Sequence, residues 1–211
     1  CEDPQPGGWT QAIAGGFHRS GTEGFMTVMP FGEYLYLGTV VYPANFSSLD
    51  ELVGTEVLRL DAEGNVELLV GKTRFAGTSR EIAPTTGRSG GFDYPANVYS
   101  WNALEHDGWL YWGTFDVAGL GGDFLRDWFP RDTPAGLEWL FGRLLGSDRD
   151  RWGGFDLWRT RDGETWTAVS LDGFGRDENF GVRSFASSPW GLLVGVANPY
   201  DGFELWLGGQ P

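Results

Sequence analysis

The side chains able to do chemistry in this chain are carboxylates, carboxamides, one arginine and aromatic rings, set near short Gly-Phe words. Asp93 and Asn97 follow the word Gly91-Phe92, and Asn179 follows Gly173-Phe174. Each Asn stands five residues after its Phe, in register, while Thr22 takes that place after Phe17. Asp116 closes the run Trp109-Leu-Tyr-Trp-Gly-Thr-Phe-Asp, and Trp101 and Arg183 lie on apolar segments that follow the Gly-Phe words. An amide, a cation and a ring suit a polar or carbohydrate ligand; carboxylates such as Asp93, Asp116 and Asp177 suit general acid–base cleavage of a glycoside.

Other chemistries find no support in the spacing. There is no Ser-His-Asp order and no Gly-rich phosphate loop. His18 and His106 lack metal-ligand spacing. The acids at Asp148–Asp150 and Asp177-Glu178 leave calcium open, without the alternating ligands of a dedicated loop. A single Cys excludes an internal disulfide and a multi-Cys zinc site. With 15 Lys+Arg against 29 Asp+Glu the net charge is −14, which argues against a binder of nucleic acid backbones. Only Lys72 is lysine. No apolar run reaches the length of a membrane-spanning helix. The acidic composition fits a secreted or cell-envelope protein.

Repeated words must position these groups. Gly-Phe occurs at Gly16-Phe17, Gly91-Phe92 and Gly173-Phe174, and 21 residues after each Phe a Gly interrupts an apolar run, at Gly38, Gly113 and Gly195. A second word, Gly-x-acid, follows at Gly54-Thr-Glu56, Gly154-Phe-Asp156 and Gly202-Phe-Glu204. A third is a short strand: Val66–Val70, Trp166–Ser170 and, ahead of the first unit, Trp9–Ile13. Aromatic, β-branched pieces with Gly punctuation read as strands. The units span about 14–71, 89–171 and 172–211. An acid repeated in every unit reads as structural, and so does an Asn at a repeated turn position. Most of the eleven Trp, Trp158 and Trp166 among them, belong to repeat words and read as core, leaving Trp128, Trp139 and Trp152 freer to bind.

Four antiparallel strands per repeat resemble the blade of a β-propeller. Thr160-Arg-Asp-Gly-Glu-Thr-Trp166 resembles the Asp-box hairpin of sialidase-like propellers, one residue short, and Asp61-Ala-Glu-Gly64 is a fainter copy. The resemblance to Asp-box and kelch-like propellers implies an all-β fold of four-stranded blades over the single domain 1–211. A helical insertion is expected at about 118–153 in the middle blade, begun by Thr133-Pro134. Asp93, Asn97, Trp101, Asp116, Asn179 and Arg183 would then gather at a channel mouth. The expected function is a non-enzymatic binder of a ligand, carbohydrate or protein there; the alternative is a propeller glycoside hydrolase or lyase. None of the sialidase catalytic residues can be matched.

Three units are few for a ring. The chain is expected to be the C-terminal part of a larger propeller, or one half of a homodimeric ring, with Trp9–Ile13 completing the last blade. Cys1 leaves open a lipid anchor. Asn45-Phe46-Ser47 matches a glycosylation sequon.

Overall fold

Runs of alternating burial bounded by Gly turns give short antiparallel strands. A computed structural model describes residues 7–19, 21–41, 53–120 and 153–209. The first repeat unit holds β1 (Thr22–Phe31), β2 (Tyr34–Val41), β3 (Val57–Leu60) and β4 (Val66–Val70). A small separate hairpin follows, β5 (Arg74–Ala76) with β6 (Arg80–Ile82). The second unit holds β7 (Asn97–His106), β8 (Trp109–Asp116), β9 (Leu157–Thr160) and β10 (Thr167–Ser170); the third holds β11 (Gly181–Ser188), β12 (Gly191–Ala197) and β13 (Glu204–Gly208).

All but β5 and β6 join one eleven-stranded sheet. Its main path runs β13-β12-β11-β8-β7-β2-β3-β4, with β1 against β2, and β9 and β10 carried outward from β8. Within a unit the ladders are long; between units they are single pairs, Val40 with Tyr99 and Phe115 with Gly181.

This corrects the expected propeller. Strands of successive units are hydrogen-bonded into one open sheet, so they are not independent four-stranded blades. The path begins at β13 and ends at β4 without returning on itself, and the described residues enclose no central channel. The repeated words do recur in space, but what they encode is how one unit grips the next; nothing in them requires a ring. Residues 9–13, expected to complete a final blade, form no strand, and Trp9 is 76% exposed. Helix among the described residues is limited to the short segments Gly15–His18 and Ala118–Leu120. The expected helical insertion falls almost wholly on 121–152, outside the described residues, as do Cys1, Asn45, Trp128, Trp139, Trp152 and Asp148–Asp150.

The gripping is visible at the repeated glycines. A Cβ on Gly38 would sit 2.3 Å from the Ser100 Cβ, and one on Gly113 would sit 2.4 Å from the Val182 Cβ. Each is thus demanded by close approach of the next unit rather than by backbone angle. The core lies across the same junctions. Tyr36, Val57 and Leu69 of the first unit pack with Phe92, Trp112, Trp158 and Trp166 of the second. Phe155 and Leu157 of the second pack with Val182, Leu192 and Val194 of the third. Trp158 and Trp166 are core, as expected for repeat-word tryptophans, and so is Trp112, but the repeat-word Trp9 and Trp206 are exposed, as is Trp190.

Candidate functional site

Each Gly-Phe word makes a left-handed turn. Gly91 (φ 69°), Phe92 (59°) and Asp93 (71°) continue the hand, as do Gly173 (61°) and Phe174 (61°), and Gly16 (58°), Phe17 (52°) and His18 (65°). A non-Gly residue in this region costs about 1 kcal/mol or more, so tertiary contacts must hold it there. The Phe92 ring does so, stacked 4.9 Å from Trp158 and edge-on to Trp166.

The two repeated asparagines tie these turns down. Asn97 is fully buried; its amide donates to the Gly91 carbonyl (2.9 Å) and to the Asp156 carboxylate (2.8 Å), and its oxygen accepts from the Thr114 hydroxyl (2.7 Å). Asn179 repeats the arrangement: it donates to the Gly173 carbonyl (3.0 Å) and the Glu204 carboxylate (2.9 Å) and accepts from Asn198 (2.9 Å). The Asn179 amide, opposed by burial and aided by Trp206 and Arg176, holds the Glu204 carboxyl below its ordinary range. In the first unit, where Thr22 replaces Asn, Glu56 is instead met by Arg74 (2.7 Å), by Arg19 (3.2 Å) and by the Lys72 amide (3.0 Å). Two of the three repeated acids, Glu56 and Asp156, are fully buried.

The remaining expected site residues are each engaged by other protein groups. Asp93 is exposed, paired with Arg88 (2.8 Å) and accepting from the Ser89 amide and hydroxyl. Asp116 is fully buried and caps the Ala118 amide (2.7 Å). Trp101 packs edge-on to Phe115 at 5.0 Å, with the Arg183 guanidinium 4.9 Å over its ring. The structure therefore brings together Asn97 with Asp156 and, across the β7–β8 ladder, with Asp116; Asn179 with Glu204 and Asn198; and Trp101 with Arg183. The described residues form no channel, so these groups share no channel mouth. Among the described residues, no three His, Cys, Asp or Glu side chains are placed to hold a metal ion.

The Thr160–Trp166 turn is a self-contained hairpin device. Asp162 accepts from the Glu164 and Thr165 amides (2.8 and 2.7 Å), Gly163 takes φ 76°, and the Trp166 indole donates to the Gly163 carbonyl (3.0 Å). Burial pushes the Asp162 carboxyl up, but those amides and the Thr160 hydroxyl outweigh it and bring it to about 2. A turn of this kind can close a hairpin in any antiparallel sheet.

The second word, Gly-x-acid, shows how units connect. Thr55, between Gly54 and Glu56, accepts from the Gly91 amide (2.7 Å) and donates its own to the Asn97 carbonyl (2.7 Å). Phe155 does the same one unit later, accepting from Gly173 (3.0 Å) and donating to Asn179 (2.8 Å). Each x of a Gly-x-acid word is thus seated between the Gly and the Asn of the following turn. Gly54 and Gly154 allow it, since a Cβ there would lie 2.6 Å from the Gly91 Cα and 2.5 Å from the Asp172 carbonyl carbon.

Among the described residues no Gly-Phe turn packs on the last copy of the word. Phe203 is 89% exposed, whereas Phe155, its counterpart, is fully buried. Beside it, β13 ends the sheet and exposes Leu205 (66%) and Leu207 (55%). At the first unit the reverse holds: an open cavity of about 160 Å³ is lined by Ile13, Gly16, Thr22, Gly24, Phe25 and Leu58, among others. None of these residues was singled out from the sequence as a site. The signal that could have found them is the match between Gly202-Phe-Glu204 and Gly154-Phe-Asp156.

Comparison with protein-family models, with curated proteins and with solved structures finds no match. The resemblance to Asp-box and kelch-like propellers is thereby left without support from any relative, and the open sheet contradicts it.

Proposed function

We propose that this chain is a protein-interaction module whose working surface is the edge strand β13 and the apolar side chains beside it. The observation that carries this is the character of that edge. Leu205 and Leu207 alternate along one face of the strand, Phe203 stands just ahead of it, and all three are exposed. Sheet edges are ordinarily blunted with Lys, Pro, inward charges or a covering segment, because an unpaired apolar edge templates another chain. From Leu205 to Gly208 β13 carries none of these residues. Trp190 (75% exposed) stands at the β11–β12 turn, close to the strand's far end. An edge of this kind takes a partner by strand addition, with main-chain bonds supplying affinity and alternate side chains supplying selectivity.

The residues first considered for a ligand site support this reading by where they are engaged. Asn97 and Asn179 hold turns and unit junctions, bonded to the structural acids Asp156 and Glu204. The earlier expectation of a ligand or glycoside at a channel mouth falls with the channel. Among the described residues no helix is long and apolar enough to cross a membrane. A place outside the cytoplasm, in keeping with the charge of −14, belongs to the same proposal and is tested by cell fractionation.

The test is affinity purification of the tagged chain from cells that express it, beside a Leu205→Lys/Leu207→Lys variant. Wild type is expected to bring down a stoichiometric protein partner, either a different chain or an untagged copy, and the variant to lose it. A wild-type chain that brings down none, or a partner held equally by the variant, would overturn the reading.

A further inference from the structure

The two ends of the repeat array are complementary to each other, and we infer that Phe203 of one copy of this chain seats in the Ile13–Gly16–Thr22–Phe25 cavity of a second copy, joining them head to tail. This rests on the interaction-module reading and names its partner.

The joint is already built twice inside the chain. Thr55 fills the site between Gly91 and Asn97, its hydroxyl 2.9 Å from that of Ser100. Phe155 fills the site between Gly173 and Asn179, packed with Val182 and edge-on to Phe174 at 5.1 Å. The register of the repeats maps Gly91, Asn97 and Ser100 onto Gly16, Thr22 and Phe25. Those three residues line the cavity, so the first unit presents as open space the place where the other two hold the preceding unit. Its volume, about 160 Å³, is that of a space known to admit a benzene ring. Among the described residues, the buried Thr22 hydroxyl at its wall has no hydrogen-bond partner.

The plug is equally specific. Gly202-Phe203-Glu204 repeats Gly154-Phe155-Asp156, and Gly202 keeps the positive φ of Gly154, 88° against 84°. A Cβ on Gly154 would strike the next turn, while one on Gly202 meets nothing within 4 Å. Glu204 is already bound by Asn179, as Asp156 is by Asn97, so the word is held in its docking conformation. By analogy with the internal joints, the Phe203 amide would donate to the Thr22 carbonyl and its carbonyl would accept from the Gly16 amide. The contact uses different surfaces on the two copies, which makes it heterologous and gives a direct way to test it.

Two variants each disable one half. Phe203→Glu removes the plug at an exposed site, and Gly24→Trp fills the cavity from its wall, where a Cβ has open space. In sedimentation velocity the wild type is expected to pass from monomer to dimer or larger as concentration rises. Each variant alone should stay monomeric, with its association weakened at least 30-fold or so, as for a central interface anchor. Mixed, they should form a 1:1 heterodimer, because one intact plug and one intact cavity remain. Should Gly24→Trp fail to fold, a photoreactive phenylalanine at position 203, which keeps the ring, replaces it; illumination is expected to cross-link position 203 of one copy to residues 13–25 of a second. A wild type that stays monomeric at its highest soluble concentration, a Phe203→Glu chain that associates like wild type, a mixture without heterodimer, or illumination without that cross-link would overturn the inference. If the chain is monomeric yet holds a different protein that Leu205→Lys/Leu207→Lys loses, the inference fails while the interaction-module reading stands.

Discussion

Replacing Asn97 with Ala separates a structural asparagine from a ligand-binding one. Three hydrogen bonds are lost at once: to the Gly91 carbonyl, to the Asp156 carboxylate and from the Thr114 hydroxyl. All four residues are fully or almost fully buried, so water does not replace the missing amide. A bond to a charged partner is worth about 1.5–3 kcal/mol and a neutral one about 0.5–1.5. One bond to a charged acceptor and two neutral ones, all lost in the interior, put the loss at about 3–5 kcal/mol. That is a large share of the roughly 5–15 kcal/mol that holds a domain folded. Asn179→Ala is the internal control. It removes the same bonds, but its carboxylate, Glu204, is partly exposed and keeps Arg176 and the Trp206 indole as donors. The expected loss there is about 1–2 kcal/mol. Urea unfolding followed by tryptophan fluorescence reads both, as midpoints at unchanged slope. An Asn97→Ala loss below about 1 kcal/mol, or one no larger than that of Asn179→Ala, would refute the assignment of Asn97 to the turn and return it to the surface as a ligand group.

Other consequences follow from single contacts. Gly113→Ala places a methyl against Val182, 2.4 Å from its Cβ, and should lower stability by about 1–3 kcal/mol in thermal unfolding, as overpacking does. Asp162→Asn keeps an acceptor for the Glu164 and Thr165 amides but removes the charge. The folded carboxyl titrates at about 2 against an ordinary 3.8, so its contribution is whole above the ordinary value and lost as pH falls toward 2. The Tm gap between wild type and Asp162→Asn should therefore be open at neutral pH and closed near pH 2; a gap that widens with acid would contradict the cap. Leu205→Lys/Leu207→Lys alters exposed positions, so its unfolding midpoint should match wild type to within about 0.5 kcal/mol, which makes any loss of partner a surface effect.

Much of the local structure was legible from residue order. The runs Tyr34–Val41, Trp109–Asp116 and Gly191–Ala197 are strands, as are Val66–Val70 and Thr167–Ser170. The repeated acids hold structure, and the repeated Asn residues bond backbone carbonyls six residues earlier, as turn residues do. These features are legible because they depend on neighbours a few residues away. How the units are joined does not. The same Gly-Phe-acid word is buried at Phe155 and exposed at Phe203, because only the first has a turn of the next unit beside it. Local words therefore could not distinguish an open sheet from a ring, and the channel-mouth site drawn from them dissolved with it. Trp9–Ile13 has strand-like composition, yet no strand forms there, since no ladder receives it. The β5–β6 hairpin went unread because its three-residue strands carry too little alternation to stand out from loop.

The claim that β13 is a working edge is tested most directly by a photoreactive side chain at Leu207, compared with one at the exposed Glu63 on the β3–β4 turn, in cells that express the chain. The account expects protein adducts from position 207 well in excess of those from position 63, mapping to a strand or cavity of the captured chain. Adducts absent at 207, or equal at the two positions, would contradict it.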